Sequence, residues 1–451
     1  MDKLKEKVST FVKGFIQGDW ITKTSYVIMG AGSLFRKQFV RGITYLGLQI
    51  MILAYLFNSG FSRIAGLRHL GTQTQGQVFD EGRGIYIYTQ GDNSMLFLLF
   101  GVLAIFIILA LIGIYFLSVF NAIENQKMVE NNQKLPSFRD DIGALLNEKF
   151  HISVLTLPTI LTFAFTILPL VFMILIAFTN FDQYHQPPGN LFTWVGLTNF
   201  IKVLSGQGNI SYTFFEILKW TFVWAFFATF LNYVLGMLLA MLINAKGIKI
   251  KKFWRTIFII TIAVPQFVSL LLMRNLLADQ GSLNVFLMNS GLLNTPIRFL
   301  SDPTLAKITV IIINCWVGIP YSMLITSGIL MNIPQDMYES ADIDGATPWI
   351  KFKKITLPYM LSVTAPYLIT QFVGNINNFN VIFLLTGGGP LTLEYHQAGK
   401  TDLLVTWLYK LTVNQKDYSL ASVIGIIIFV ITATLSLVVF RKVMSSEREF
   451  G

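Results

Sequence analysis

Eight long apolar runs constrain this sequence more than any other feature. They lie near 42–57, 95–120, 152–178, 218–243, 253–277, 305–330, 359–385 and 419–440. All but the first reach the ~20 residues that a helix needs to cross about 30 Å of hydrocarbon. Of the 451 residues, 53% are hydrophobic and only 13% are charged, which does not suit a soluble domain. The sequence therefore predicts an all-α integral membrane protein with about eight transmembrane helices.

Basic residues are concentrated beside the apolar runs. The clusters comprise Lys3, Lys5, Lys7, Lys13, Lys23, Arg36, Lys37 and Arg41, then Lys246, Lys249, Lys251, Lys252 and Arg255, then Lys351, Lys353 and Lys354, and finally Arg441 and Lys442. Lys and Arg collect on the cytoplasmic side of membrane proteins, next to anionic lipid. We therefore expect both termini to be cytoplasmic. A net charge of +10 without aromatic residues between the charges on a soluble fold argues against nucleic-acid binding.

The pattern of runs and charges divides the chain into four regions. We predict a basic cytoplasmic arm at 1–41 and a two-helix membrane element with a charged linker at 42–151. A six-helix membrane core at 152–440 contains a polar loop at 331–358, and a cytoplasmic tail follows at 441–451. The boundary between the two-helix element and the six-helix core rests on a shift in composition near Ile152.

The sequence lacks the residues that most membrane catalysts and ion-coupled carriers require. No acidic residue stands in the middle of an apolar run, where carriers hold coupling ions. The four histidines are scattered over loops without the spacing of a metal site. Gly399-Lys400-Thr401 resembles the end of a phosphate loop, but Glu394 stands where that loop requires glycine. We therefore predict that the chain is not an enzyme and binds no metal or cofactor itself.

Two apolar runs carry uncharged polar and small residues on one helical face. They are Asn314, Gly318 and Tyr321 in the first run, and Gln371, Asn375 and Asn378 in the second, with Gly374 beside them. Amide groups match the donors and acceptors of sugar hydroxyls, and a tyrosine ring can stack on the C–H face of a sugar. Amides at membrane depth also form hydrogen bonds between helices. The spacing alone leaves both interpretations open.

The polar loop at 331–358 carries a family resemblance. Glu339-Ser340-Ala341, Asp344-Gly345-Ala346, Phe352 and Leu357-Pro358 are similar to the EAA signature of ATP-binding-cassette importer permeases, although Ser340 stands where alanine is usual. In that family the segment docks on the cytoplasmic ATPase. We expect Gly345 to adopt a left-handed conformation between two short helices, and Pro358 to end the second. The resemblance assigns ATPase coupling to Glu339, Ala341, Asp344, Gly345, Ala346 and Phe352.

The sequence from about 152 to its end resembles the larger permease subunit of maltose-type sugar importers. The matching motifs are Ala263-Val264-Pro265, the segment 316–321, Asn377-Asn378-Phe379, the segment 384–390 and the segment 401–405. The resemblance implies a type I permease core with a sugar pocket in mid-membrane. Gln371 stands where serine is expected and Gly374 where phenylalanine is expected, so the sugar can differ from maltose. The implied lining is Asn314, Gly318, Tyr321, Gln371, Gly374, Asn375 and Asn378, with Gln266 as a weaker match.

The function implied by the resemblance is that of a permease subunit in the bacterial plasma membrane. It would import oligosaccharides of the maltose or maltodextrin type by alternating access. The implied partners are a second homologous permease, two cytoplasmic ATPase subunits that hold ATP and Mg, an extracellular sugar-binding protein and the lipid bilayer. Import of galacto-oligosaccharides or other plant glycans is an alternative. A secondary carrier or channel is a rival from another class.

Overall fold

The computed structural model describes residues 2–245 and 247–449, with side chains for 5–245 and 247–441. Met1, Lys246, Phe450 and Gly451, and the side chains of residues 2–4 and 442–449, lie outside the described residues, together with the parts of the predicted arm, tail and basic clusters that fall on them. The described chain divides into two compact units, within Met1–Val195 and within Gly196–Gly451. The predicted core at 152–440 takes residues from both units and stays a prediction.

The first unit combines helices with one antiparallel hairpin. The Phe11 ring of the N-terminal helix packs edge-on against Tyr26 and Phe116, with centroids 5.0 and 5.4 Å apart, so the basic arm folds against the long helix that carries Phe116. The helices are α1 Asp2–Gln17, α2 Trp20–Thr24, α3 Ala31–Phe35, α4 Phe39–Tyr55, α5 Phe61–Gly66, α6 Ser94–Glu130, α7 Phe138–Leu146, α8 Phe150–Thr162 and α9 Leu168–Ile176, with strands β1 Gly76–Asp80 and β2 Ile85–Thr89 and π-helical turns Leu56–Gly60 and Phe163–Ile167.

Apart from one isolated β-bridge between Leu391 and Gly399, the regular secondary structure of the second unit is helical over its described residues. Its helices are α10 Thr198–Leu204, α11 Gly208–Phe226, α12 Asn232–Asn244, α13 Lys251–Ala263, α14 Gln266–Leu276, α15 Ser282–Asn289, α16 Pro303–Leu330, α17 Gln335–Ile343, α18 Pro348–Lys351, α19 Leu357–Ile376, α20 Phe379–Thr386, α21 Leu404–Tyr409 and α22 Tyr418–Glu449, with π-helical turns Phe227–Leu231, Phe352–Thr356 and Lys410–Asn414.

Helices α12 and α16 pack closely in the second unit. A Cβ atom added to Gly236 of α12 would lie 2.5 Å from the Cβ of Ser322 on α16, so this contact requires glycine. Trp224 of α11, Leu270 of α14 and Val381 of α20 are fully buried in one apolar cluster. The buried faces of these helices therefore hold together the part of the unit in which the predicted polar residues lie.

The described helices match the eight predicted spans. Six are long and apolar enough to cross a membrane, and two bent helix pairs pass the same test together, which gives eight if each pair is one span. The predicted class, an all-α membrane protein with about eight crossings, is confirmed. The cytoplasmic position of the termini stays a prediction. The six long helices are Phe39–Gly66, Ser94–Glu130, Phe150–Ile176, Gly208–Asn244, Pro303–Leu330 and Tyr418–Arg441, and the pairs are Lys251–Ala263 with Gln266–Leu276 and Pro348–Ile376 with Phe379–Thr386.

The predicted run at 253–277 is not one straight helix. Its two halves meet at 85°. Pro265 disfavours helical geometry in the residue before it, and Val264 is indeed extended, with φ −76° and ψ 124°. Apolar periodicity alone does not report such a break. The bend turns Gln266 into the first residue of α14.

Candidate functional site

A cavity of about 350 Å³ lies among α12, α13, α16 and α19. Six of the seven residues predicted to bind substrate line it: Asn314, Gly318, Tyr321, Gln371, Asn375 and Asn378. Gln266 lines it as well, because the Pro265 break brings the start of α14 to the wall. The remaining wall consists of Ala228, Thr229, Asn232, Thr261, Ile262, Val264, Pro265, Val317, Ser322, Tyr367 and Leu368.

Gly374 does not line this cavity. It is exposed, and no described atom lies within 4 Å of the position that its Cβ would take. Gly374 precedes Asn375 by one residue, and successive residues of a helix point about 100° apart, so Gly374 lies to one side of the wall that Asn375 forms. Any part that Gly374 takes in binding stays a prediction.

Asn375 and Asn378 are tied into the helix framework. Asn375 Nδ2 donates to Thr229 Oγ1 at 2.9 Å, and Asn378 Nδ2 donates to Asn375 Oδ1 at 3.3 Å. Asn378 Oδ1 also accepts the backbone N–H of Val381 at 3.3 Å, which caps α20. Asn378 therefore does not continue the helix of Asn375, as its spacing predicted, but begins the next one after a 41° bend.

Asn314 and Asn232 differ from that pair because each carries an unsatisfied polar atom. Asn314 is 5% exposed and Asn232 is 7% exposed. Within the described part of the chain, neither Asn314 Nδ2 nor Asn232 Oδ1 has a hydrogen-bond partner. Asn232 Nδ2 donates to Ala228 O at 2.8 Å. Both unpaired atoms are buried behind the wall of the cavity and are not exposed on it.

The chemical character of the cavity is polar but neutral. Among the described residues that line it, none is charged. The Tyr321 and Tyr367 rings lie 6.5 Å apart between centroids and are tilted by 40°. Amides supply hydrogen bonds and the rings supply apolar faces, a combination that suits an uncharged polyhydroxylated molecule.

The loop that follows α16 forms a helix–turn–helix, as predicted. Gly345 has a φ of +72°, the left-handed conformation that the sequence predicted. Ala346 N–H donates to Ala341 O at 2.8 Å, and Gly345 N–H donates to Asp342 O at 3.1 Å. These two bonds form a Schellman motif that satisfies the last carbonyls of α17. The predicted residues Ala341, Gly345 and Ala346 thus fix the backbone of the turn.

The side chains of this loop divide between exposed and packed. Glu339 and Asp344 are exposed. Phe352 stacks on Trp349, with centroids 5.5 Å apart, and packs against the buried cluster of Tyr233 and Met360. Phe352 therefore anchors the loop on its own unit.

Two exposed apolar residues of the loop were not predicted from the sequence. Ile343 is 88% exposed and Trp349 is 68% exposed. Large apolar groups on a surface loop favour contact with another protein. A signal was present in the sequence for Ile343, which stands between Asp342 and Asp344.

The prediction that Pro358 ends the second loop helix is wrong. The helix runs from Pro348 to Ile376, with a π-helical turn at Phe352–Thr356. Pro358 lies in the first turn of α19, where the wide turn before it accommodates the missing N–H. The second arm of the loop is therefore continuous with a helix that lines the cavity.

The segment Gly399-Lys400-Thr401 has structural partners within the loop between α20 and α21. Lys400 Nζ lies 2.6 Å from Glu394 Oε2 and 4.1 Å from the centroid of the Tyr395 ring. Thr401 Oγ1 donates to Gly389 O at 2.6 Å. These contacts explain the segment as a local brace of this loop.

Comparison with known proteins assigns the family. Residues 232–447 match the model of the binding-protein-dependent transport system inner membrane component. The galactooligosaccharides transport system permease protein of Bacillus subtilis is 34% identical over 428 residues, which cover 94% of this chain and 97% of that protein. The chain belongs to the binding-protein-dependent transport permeases. The maltodextrin transport system permease protein of Streptococcus pneumoniae is also similar, with 33% identity over 436 residues, 94% of this chain and 95% of that protein.

A solved structure agrees with this permease fold. A bacterial ABC transporter involved in the import of the acidic polysaccharide alginate is 22% identical, with a TM-score of 0.52, over 66% of this chain and 97% of that chain. At this identity the likeness concerns the fold alone.

Membership in the permease family confirms several predictions. The chain is a transport component and not an enzyme, and it is a multi-pass protein of the bacterial plasma membrane. The predicted resemblance to sugar importer permeases is also confirmed. As the membrane component of a binding-protein-dependent system, it works with other proteins.

Proposed function

We propose that this permease forms the translocation path of an ATP-driven importer for oligosaccharides of the maltodextrin type. The observation that carries the proposal is the neutral cavity among α12, α13, α16 and α19, whose lining includes Tyr321, Gln371 and Asn375. The amide groups of the lining match the hydrogen-bond donors and acceptors of sugar hydroxyls, and the tyrosine rings offer apolar faces to a sugar. The maltodextrin permease of Streptococcus pneumoniae supports the substrate class.

The energy for transport would come from partner subunits. Two cytoplasmic ATPase subunits would bind ATP and Mg and would dock on the loop 331–358, where Ile343 and Trp349 offer apolar contact. Because the second arm of the loop continues into α19, a movement of the loop would reach Gln371 and Asn375 through one helix. Movement of one helix against its neighbours can open the cavity to alternate sides. A second homologous permease and an extracellular sugar-binding protein would complete the transporter.

A galacto-oligosaccharide is the second candidate substrate. The Bacillus subtilis relative that is 34% identical carries galactooligosaccharides in its name. Gln371, which replaces the serine expected in maltose-type permeases, is longer and changes the wall of the cavity. Maltodextrins and β-linked galactans present different hydroxyl orientations to the same amides, so uptake distinguishes them directly.

The test is sugar uptake by vesicles that contain the assembled transporter with its binding protein. We expect uptake of one of two probes, maltotetraose or a β-1,4-galactotetraose, and its loss in Tyr321→Ala. Leu324→Ala is the matched control, because Leu324 lies three residues further along α16, is exposed and does not line the cavity. Failure of both sugars to enter, or equal uptake in the parent and Tyr321→Ala, would refute the proposed function.

A further inference from the structure

We infer that α1 is an interfacial helix that lies in the plane of the membrane and binds anionic phospholipid. Its exposed apolar stripe enters the boundary between headgroups and hydrocarbon, and its free lysines contact the headgroup phosphates. The stripe consists of Val8, Val12, Phe15 and Ile16. The inference concerns the basic arm and not the cavity, so it does not depend on which substrate is transported.

The first argument is the level at which α1 meets α6. The apolar run of α6 ends near residue 120, and polar residues follow it. Phe11 of α1 packs edge-on against Phe116, and its ring centroid lies 6.3 Å from that of Phe120. A Cβ atom added to Gly14 would lie 2.5 Å from Ile123 Cδ1, so α1 rests directly on α6. Helix α1 therefore lies at the depth where α6 passes from the hydrocarbon to the headgroups.

The second argument is the direction in which the two sides of α1 face. Phe11 borders the apolar stripe, one helical turn from Phe15, and contacts the apolar part of α6. On the opposite side, Lys13 and Gln17 line a cleft together with Gln126, which belongs to the polar part of α6. The stripe therefore faces the hydrocarbon side of the boundary, and the polar side of α1 faces the water.

The third argument is the charge that α1 leaves free. The helix contains four lysines against two acidic residues. Arg36 of the same arm is paired with Asp19 at 2.8 Å. By contrast, the lysines of α1 whose side chains are described are exposed, and no ion pair to them occurs among the described residues. They are Lys5, Lys7 and Lys13. Free lysines around an apolar stripe are typical of helices that bind an anionic lipid surface.

The membrane surface suits this helix better than water or the bilayer interior does. With 16 residues and several charges, α1 is too short and too polar to cross the membrane. In water, the stripe would leave side chains such as Val8 and Ile16, 57% and 65% exposed, uncovered. Trp20, which begins α2, is also 63% exposed, and tryptophan concentrates at membrane–water boundaries. An anionic lipid surface covers the stripe and neutralises the lysines at the same depth.

The experiment measures how deep the stripe lies when the complete transporter is reconstituted in vesicles of phosphatidylcholine and phosphatidylglycerol. A fluorophore is attached to Val8→Cys, or to Gln17→Cys as the matched control, in a Cys315→Ala background that removes the buried native cysteine. Val8 and Gln17 are nine residues apart, which places them on opposite sides of the helix. A nitroxide on the lipid acyl chain should quench the Val8 label several-fold more than the Gln17 label, and iodide in the water should quench them in the reverse order.

The choice of lipid tests the role of the lysines. Phosphatidylglycerol that carries the nitroxide should quench the Val8 label more strongly than phosphatidylcholine that carries it at the same molar fraction. Changing Lys5, Lys7 and Lys13 together to glutamine should abolish this preference, whereas changing them to arginine should preserve it. High salt should weaken the preference in the parent, because ions screen exposed charges.

Three outcomes would overturn the inference. Iodide quenching at Val8 equal to that at Gln17 would place the stripe in water. If neither quencher reaches the Val8 label, another protein subunit covers the stripe. Equal quenching by the two lipids in the parent would exclude a site for anionic lipid. Val12→Cys labels the same stripe and decides the question if Val8→Cys does not assemble. Sugar uptake by the parent tests the proposed function separately, so either proposal can fail while the other stands.

Discussion

The cavity and the loop 331–358 belong to the same unit but differ in how their polar groups are satisfied. In the loop, the backbone amides of Gly345 and Ala346 close a Schellman motif, and the exposed side chains face outward. In the cavity, Asn314 Nδ2 and Asn232 Oδ1 lack partners within the described residues. The loop is closed by its own hydrogen bonds, whereas two buried polar atoms beside the cavity have no partner within the described residues.

The predicted residues of the loop and those of the cavity therefore have different kinds of role. In the loop they define backbone shape, so a change there should alter how movement is transmitted. In the cavity they divide further, since Asn375 bonds to Thr229 and Asn378 bonds to Asn375, while Asn314 Nδ2 has no partner within the described residues. The two interpretations of the polar face, sugar binding and helix pairing, therefore apply to different residues of the same face.

Whether the loop 331–358 lies in the cytoplasm has an all-or-none answer. Two predicted crossings separate the loop from the C-terminus, so both must lie on the same side. The basic clusters predict the cytoplasm. A reporter that is active only in the cytoplasm, fused after Gly451, should be fully active. If instead only an externally active reporter works there, the loop cannot meet a cytoplasmic ATPase, and the comparison between the two regions loses its basis.

Gly345→Pro should have the largest effect on transport. Proline fixes φ near −65° and removes the N–H that donates to Asp342 O, so the turn at φ +72° cannot form. We expect uptake in vesicles to fall to background while the protein still inserts, because the turn lies between the helices that span the membrane. Yield of the inserted permease and capture of its ATPase are the controls. Normal uptake would show that the shape of the turn does not matter.

Asn378 offers a smaller and more discriminating test. Asn378→Ala removes the cap of α20, which costs about 1 kcal/mol of stability, and also removes any sugar contact. Asn378→Ser keeps a capping oxygen but shortens the reach into the cavity. If Asn378 binds sugar, both variants should take up sugar several-fold more slowly than the parent. If it only caps the helix, Asn378→Ser should match the parent in uptake and melting temperature.

The sequence predicted the spans well because their length and apolarity follow from the thickness of the bilayer. It also predicted the left-handed Gly345, since few other residues tolerate that conformation. It failed at Pro358, because proline is as compatible with the first turn of a helix as with its end. It did not show the bend at Pro265 as a break in the apolar pattern, because both halves are apolar.

The cavity was predictable in part. Asn314, Gly318 and Tyr321 recur at helical spacing, and the structure brings them to one wall. Asn232 escaped notice because a single amide at the start of a helix carries no spacing. Asn232 packs against Gly318, which lies more than 80 positions away in the sequence, and only the structure shows this contact.

The most direct test of the division between cavity and loop compares Asn314→Ala with Gly345→Ala in the assembled transporter. Alanine at Gly345 meets no described atom within 4 Å, so its only cost is the left-handed backbone, about 1–2 kcal/mol. The measurement is the dissociation constant of the transported sugar together with the maximal uptake rate. We predict that Asn314→Ala weakens sugar binding about 3- to 10-fold, the value of one hydrogen bond, and that Gly345→Ala lowers the uptake rate without changing the dissociation constant. If both variants change the same quantity, or if Asn314→Ala binds sugar as the parent does, the account is contradicted.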